Sequence, residues 1–235
     1  MNKLWVFGDS FSTGGGYPDK KTFNKFWPSI VANKLGLKLV NKALGGRSNE
    51  TILTTMITNL HKINKGDYVI IGLTDSIRFE IYDWNVKRFV DIVPGSEFVQ
   101  NGLIAPERSY YWMAKGYKMF EQKGPYGSIN EKKGEKLRKL TLKYIALVRG
   151  ETREYLTNRD IKTAVNYHKE LKQREVGSIV WSWDDHPEWI RKETPFKYDL
   201  IPNDGHWTLE GNKQFSERIL DKINKGGGYW EDIYE

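Results

Sequence analysis

Cysteine is absent from the 235 residues. Disulfides and thiolate metal sites are excluded with it, and a cytosolic origin is compatible with the lack. Histidine is scarce: His61, His168, His186 and His206 are the only four. Long apolar runs are missing too, so no segment reads as a membrane span. Met1-Asn2-Lys3 leads into a short strand, not into the longer apolar stretch and small-residue cleavage site of a secretory signal. A cytoplasmic location and no membrane partner are expected. The glycine run Gly14-Gly15-Gly16 lacks both the Lys-Ser/Thr ending of a phosphate loop and dinucleotide-fold spacing. No cofactor is therefore expected. Asp184, Asp185 and His186 carry ligand chemistry, but an exposed acidic loop reads first as solvated, and no metal is expected.

What is present describes a globular chain. Apolar residues make up 39 % and charged residues 29 %, enough for a real core. Aromatic residues reach 14 %, nine of them Trp, and most are expected to line core or groove. The formal net charge is +7. Such a surface attracts acidic polymers, yet Lys and Arg are interleaved with Asp and Glu. The densest run, Lys132, Lys133, Lys136, Arg138, Lys139 and Lys143, has the spacing of one solvated helix face. Nucleic acid is not the expected partner.

Periodicity gives the organisation. Lys3 to Phe7 reads as a strand. Phe23 to Leu35 reads as a helix with Pro28 near its start and Gly36 as its cap. Leu37 to Leu44 reads as a second strand. Ser48 caps a helix running to about Ile63, and Tyr68 to Leu73 is a strand buried on both faces. This alternation predicts a doubly wound parallel α/β sheet whose strand exits build the site. Residues 80–130 are aromatic and irregular, with one helix expected near Tyr110 to Phe120, and 131–174 read as mainly helical with a break near Gly150. Ser178 to Trp183 is a further buried strand, and Leu209 to Ile223 a closing amphipathic helix. One domain, 1–235, with an insertion at about 80–150, accounts for this order.

Ser10 follows the first strand directly, in a tight turn at the carboxyl edge of the sheet. A serine hydroxyl needs a base within hydrogen-bond reach to act as a nucleophile. His61 and His168 fall in helices that run away from that edge, so surface roles are expected for them. His206, in Asn203-Asp204-Gly205-His206-Trp207, has a carboxylate beside it as a base and its orienting acid require. His186, after the strand ending at Trp183, is the rival base.

Gly8-Asp9-Ser10-Phe11-Ser12 resembles the first block of the SGNH or GDSL hydrolase family. Asn41-Lys42-Ala43-Leu44-Gly45-Gly46 resembles the second, Ile70-Ile71-Gly72-Leu73-Thr74-Asp75 the third, and Asp204-Gly205-His206 with Glu210-Gly211-Asn212 the last. The four occur in the family's order. The resemblance implies a flavodoxin-like three-layer α/β/α sandwich and ester hydrolysis through an acyl-enzyme. It makes Ser10 the nucleophile and His206 its base, and puts the amides of Ser10 and Gly46 plus an asparagine side chain around the oxyanion. Two departures stand out. Thr74 occupies the third-block asparagine position, so either Thr74 or Asn49 is left to complete the oxyanion hole; Asn49 reads equally as a polar residue of a helix start. The family's aspartate lies three residues before the histidine, where this chain has Asn203, and Asp204 lies two before. If Asp204 does not orient His206, the site is a dyad. Gly46-Arg47-Ser48-Asn49, Thr74 and Arg78-Phe79-Glu80 resemble a set of relatives, many from phages, so a virion component is a second expected location. Asp9 is expected to hold turn amides. The resemblance and the Trp-rich loops together imply an ester substrate on a carbohydrate or small molecule, with an acetyl group removed. A catalytically weak binding module on the same scaffold is the alternative.

Overall fold

Parallel pairing organises the chain, as the alternation of strand and helix predicts. The computed structural model describes residues 1–13, 20–74, 78–83, 88–92, 153–182 and 206–225. In chain order the main elements are β1 (Lys3–Phe7), α1 (Trp27–Leu35), β2 (Lys38–Asn41), α2 (Asn49–Asn59), β3 (Tyr68–Leu73), β4 (Phe79–Asp83), β5 (Arg88–Ile92), α3 (Arg153–Gln173), β6 (Gly177–Ser182) and α4 (Leu209–Asn224).

Four strands form one sheet in the order β2-β1-β3-β6, and every pairing is parallel. This is the flavodoxin-like order. The step from β1 to β2 and the return to β3 run in opposite directions along the sheet, so right-handed crossovers place α1 and α2 on opposite faces. The remaining helices follow them: α4 packs with α1, and α3 with α2. The result is the expected three-layer α/β/α sandwich. Its inner residues, among them Leu4, Val6, Phe7, Ile70, Ile71, Ile179 and Val180, are buried because both faces of the sheet are covered.

Local signals explain the element ends. Pro28 is accepted in the first turn of α1, and Gly36 ends that helix at φ 65°. The Ser48 hydroxyl accepts from the Thr51 amide and starts α2. Thr208 does the same for α4 through the Gly211 amide. Gly72 lies opposite Trp181 in the β3–β6 register, and a Cβ there would sit 2.7 Å from the indole.

Some expectations change. The segment from Phe23 begins in a 3₁₀ turn, Lys20–Lys25, before α1 proper. The second strand closes at Asn41, and α2 closes at Asn59 in a tighter turn over Leu60–Lys62. The stretch read as irregular opens instead with an antiparallel pair, β4 with β5, in which Phe79 faces Ile92 and Asp83 faces Arg88. The helix near Tyr110, the basic run from Lys132 and the break near Gly150 lie outside the described residues. Among the described residues no helix is long and apolar enough to cross a membrane.

Candidate active site

The strands β1 and β3 lie side by side, and their exits carry the first and third sequence blocks. This is the point where the strand order reverses, the place where open α/β sheets build their clefts. Ser10 opens a short 3₁₀ turn, Ser10–Ser12, directly after β1. Asp9 caps that turn, its Oδ1 accepting from the Phe11 amide at 3.1 Å.

Asp9 is only 1 % exposed, and its other oxygen is equally engaged. Oδ2 accepts from the Thr74 hydroxyl at 3.1 Å and from Arg78 Nη1 at 3.0 Å. Three donors and one opposite charge satisfy a carboxylate removed from water. The expected role of Asp9 in holding turn amides thus extends to joining the first and third blocks. The second block is stitched on by the Leu44 amide, which donates to the Gly8 carbonyl at 3.1 Å. Asn41 Nδ2 adds a bond to the Ser12 carbonyl at 2.7 Å.

Asn49 and Thr74 sit together and are both buried. Asn49 Oδ1 accepts from the Thr74 amide at 2.7 Å, and Asn49 Nδ2 donates to the Thr74 carbonyl at 2.9 Å and to Asp160 Oδ2 at 3.0 Å. Both hydrogens of the Asn49 amide are therefore spent inside the protein. The same holds for Thr74, whose amide faces Asn49 and whose hydroxyl must donate, because an ionised Asp9 carboxylate can only accept. These two side chains clamp the exit of β3. The backbone donors differ. Among the described residues no acceptor is paired with the amides of Ser10 or Gly46. Gly46 holds φ at 80°, a left-handed conformation that glycine adopts without strain.

Asp160 and Arg159, on α3, had no sequence signal. Asp160 is 3 % exposed, and Arg159 binds its Oδ1 at 2.6 Å through Nη2. Burial pushes the Asp160 carboxyl above its ordinary value, against the pull of Arg159 and the Asn49 amide.

His206 is half-buried just before α4, and its ring lies 5.3 Å from that of Phe11, centroid to centroid. The imidazole thus rests against the residue that follows Ser10. Trp207, next in sequence, packs on Phe11 at 5.0 Å and on Phe215 at 4.6 Å. Trp27 and Trp181 complete this aromatic floor. Trp5, Trp27, Trp181 and Trp207 are all buried and unavailable as sugar platforms.

Among solved structures, the chain is similar to a member of the lipolytic G-D-S-L family from Veillonella parvula, at 9 % identity and TM-score 0.40, covering 96 % of this chain and 100 % of that one. It is similar to the psychrotrophic esterase EstA from Pseudoalteromonas sp., at 10 % identity and TM-score 0.42, covering 96 % and 98 %. A third likeness is a family two carbohydrate esterase from Clostridium thermocellum in complex with cellohexaose, at 10 % identity and TM-score 0.42, covering 97 % of this chain and 65 % of that one. No protein-family model matches the sequence. No curated protein sequence matches it either.

The remaining expectations divide simply. Asp204 and the rival His186 lie outside the described residues, as do Asp184 and Asp185. His61 is exposed. His168 is not on the surface, as expected, but buried, with Nδ1 2.6 Å from the Ser178 hydroxyl. A helix period marks one face as inward but does not say which polar group will meet a partner there. Among the described residues no group of acidic and imidazole side chains could hold a metal.

Proposed function

We propose that this chain is a serine esterase that works through an acyl-enzyme, with Ser10 as nucleophile and His206 as base. The observation that carries this reading is the packing of the His206 ring against Phe11, one residue from Ser10. Phe11 and His206, from opposite ends of the chain, meet beside the exit of β1.

In this reading Ser10 Oγ attacks the ester carbonyl while His206 takes its proton. The Ser10 and Gly46 amides hold the oxyanion, and Asn49 and Thr74 act by fixing the β3 exit. Collapse expels the alcohol, which takes the proton back from the imidazolium. A water activated by His206 then releases the acid. Asp204 is the proposed orienting acid. The proposed substrate is a small acyl ester, with an O-acetylated carbohydrate as the finer reading; its support is the sequence resemblance and the abundance of Trp in the sequence.

The test is hydrolysis of p-nitrophenyl acetate by wild type, Ser10→Ala and His206→Ala. Losses of about 10³-fold or more in kcat are expected for both. Equal slow rates in all three proteins would falsify the reading.

One observation favours a second reading. The side-chain donors of Asn49 and Thr74 are committed elsewhere, which leaves a lean oxyanion site and suits a weakly active binding module. That reading expects no covalent labelling of Ser10 by a fluorophosphonate, and clean labelling removes it.

A further inference from the structure

We propose that Asn212 is a positioning residue that sets the His206 loop against the Ser10 turn. The proposal rests on the reading of those two residues as base and nucleophile.

Asn212 lies in the first turns of α4 and is 3 % exposed. Its Nδ2 turns back along the chain and donates to the Thr208 carbonyl at 3.0 Å and, over a longer 3.4 Å, to the Trp207 carbonyl. These are the carbonyls of the two residues that follow His206. Its Oδ1 faces the other way and accepts from the Trp27 amide at 3.2 Å, across 185 positions of sequence. That amide is the first of α1, and Phe26, the residue in the cap position, provides no side-chain cap. Asn212 therefore caps α1 from a different helix.

Trp27 carries the connection onward. Its indole Nε1 donates to the Phe11 carbonyl at 2.9 Å, one residue past Ser10. Trp27 itself is fully buried. The loop of the base and the turn of the nucleophile are thus joined through one amide and one indole, and both hydrogen bonds made by Trp27 are buried.

The residue type fits this task and not the simpler one. Capping α1 requires only an acceptor, which an aspartate would supply with added charge at the helix N-terminus. Holding the His206 loop requires donors on the opposite side, and a carboxylate has none. The Asn212→Asp variant therefore keeps the cap and removes the tether, turning an acceptor toward two carbonyl oxygens. Asn212→Ala removes both.

The experiment compares p-nitrophenyl acetate kinetics of both variants in the wild-type and His206→Ala backgrounds, with thermal unfolding as the check on folding. Displacements near 1 Å in a catalytic pair cost about 10²-fold. With His206 present, each variant is expected to lose about 10- to 100-fold in kcat with KM within about twofold, and to shift the pH profile of kcat. In the His206→Ala background the further loss should be under about twofold, because a residue acting through His206 has nothing left to position. Equal losses in both backgrounds, or no loss in either, overturn the proposal. So does the failure of both variants to fold, since Asn212 would then be holding the domain and not the site. If Ser10→Ala and His206→Ala match wild type, the catalytic reading itself has failed. If those two are inactive and Asn212→Asp is not impaired, only this proposal has.

Discussion

Asp9 is a buried carboxylate paired with Arg78 beside the Ser10 turn. It is almost wholly removed from water, and Arg78, the Thr74 hydroxyl and the Phe11 amide meet it. Removing one partner of a buried pair strands the other charge, at a cost of about 3–5 kcal/mol. Arg78→Ala is therefore expected to lower unfolding free energy by about 3 kcal/mol in urea melts and to weaken turnover as the Ser10 turn loosens. Asp160 is a second buried carboxyl, and its titration is governed by burial. Burial raises its folded value above the ordinary 3.8, so the native state binds the proton more readily than the unfolded chain. Its contribution to stability is complete below 3.8 and declines as pH rises from there through the raised folded value. Relative to Asp160→Asn, the wild type should gain stability as the solution is acidified toward that range. Urea midpoints of the two proteins at neutral and acidic pH measure it; a difference that stays flat or shrinks on acidification contradicts the assignment.

Elements matter here because each parallel strand delivers one loop to the same edge. β1 delivers the Ser10 turn and β3 delivers Thr74, while the turn between β2 and α2 delivers Gly46. Gly46 is the point where backbone conformation and proposed chemistry coincide. At φ 80° an alanine is strained, and relief of that strain would turn the amide away from the proposed oxyanion position. Loss of an oxyanion donor typically lowers kcat by about 10²- to 10³-fold. Gly46→Ala should show a fall of about 10²-fold in kcat with KM little changed, read by steady-state kinetics on p-nitrophenyl acetate; undiminished turnover removes Gly46 from the site. The helices are equally local in origin, each opened by a readable cap such as Ser48 or Thr208. The β4–β5 pair escaped the sequence reading although Phe79-Glu80-Ile81 alternates apolar and polar, because the glycines and prolines farther on dominate the pattern.

At the scale of the molecule, the described part of this +7 chain is organised around a parallel sheet and an aromatic floor. Phe215 gathers Trp27, Trp181 and Trp207 beneath the cleft, joining α1, β6, the His206 loop and α4 into one packed unit. The charge is expected to act only as diffuse attraction. Fluorescence anisotropy with a labelled DNA duplex should therefore show no tight complex at physiological salt. A site that neutralised many phosphates would betray itself by tight binding with a steep fall in affinity as salt increases.

The alternation of strand and helix from β1 to β3, the parallel sheet and the presence of Ser10 and His206 in turns outside the main elements were determined by the sequence alone. Each is written in short-range periodicity, caps and turn residues within a few positions of one another. The tertiary structure alone decided how the polar groups of those loops are spent. Asn49 meets Asp160 across 111 positions, Arg78 meets Asp9 across 69, and Asn212 meets Trp27 across 185. Hydrogen bonds at such separations leave no mark in local patterning. They form because the sheet brings distant segments within 3 Å or so of each other, in a core where an unpaired donor or acceptor is costly.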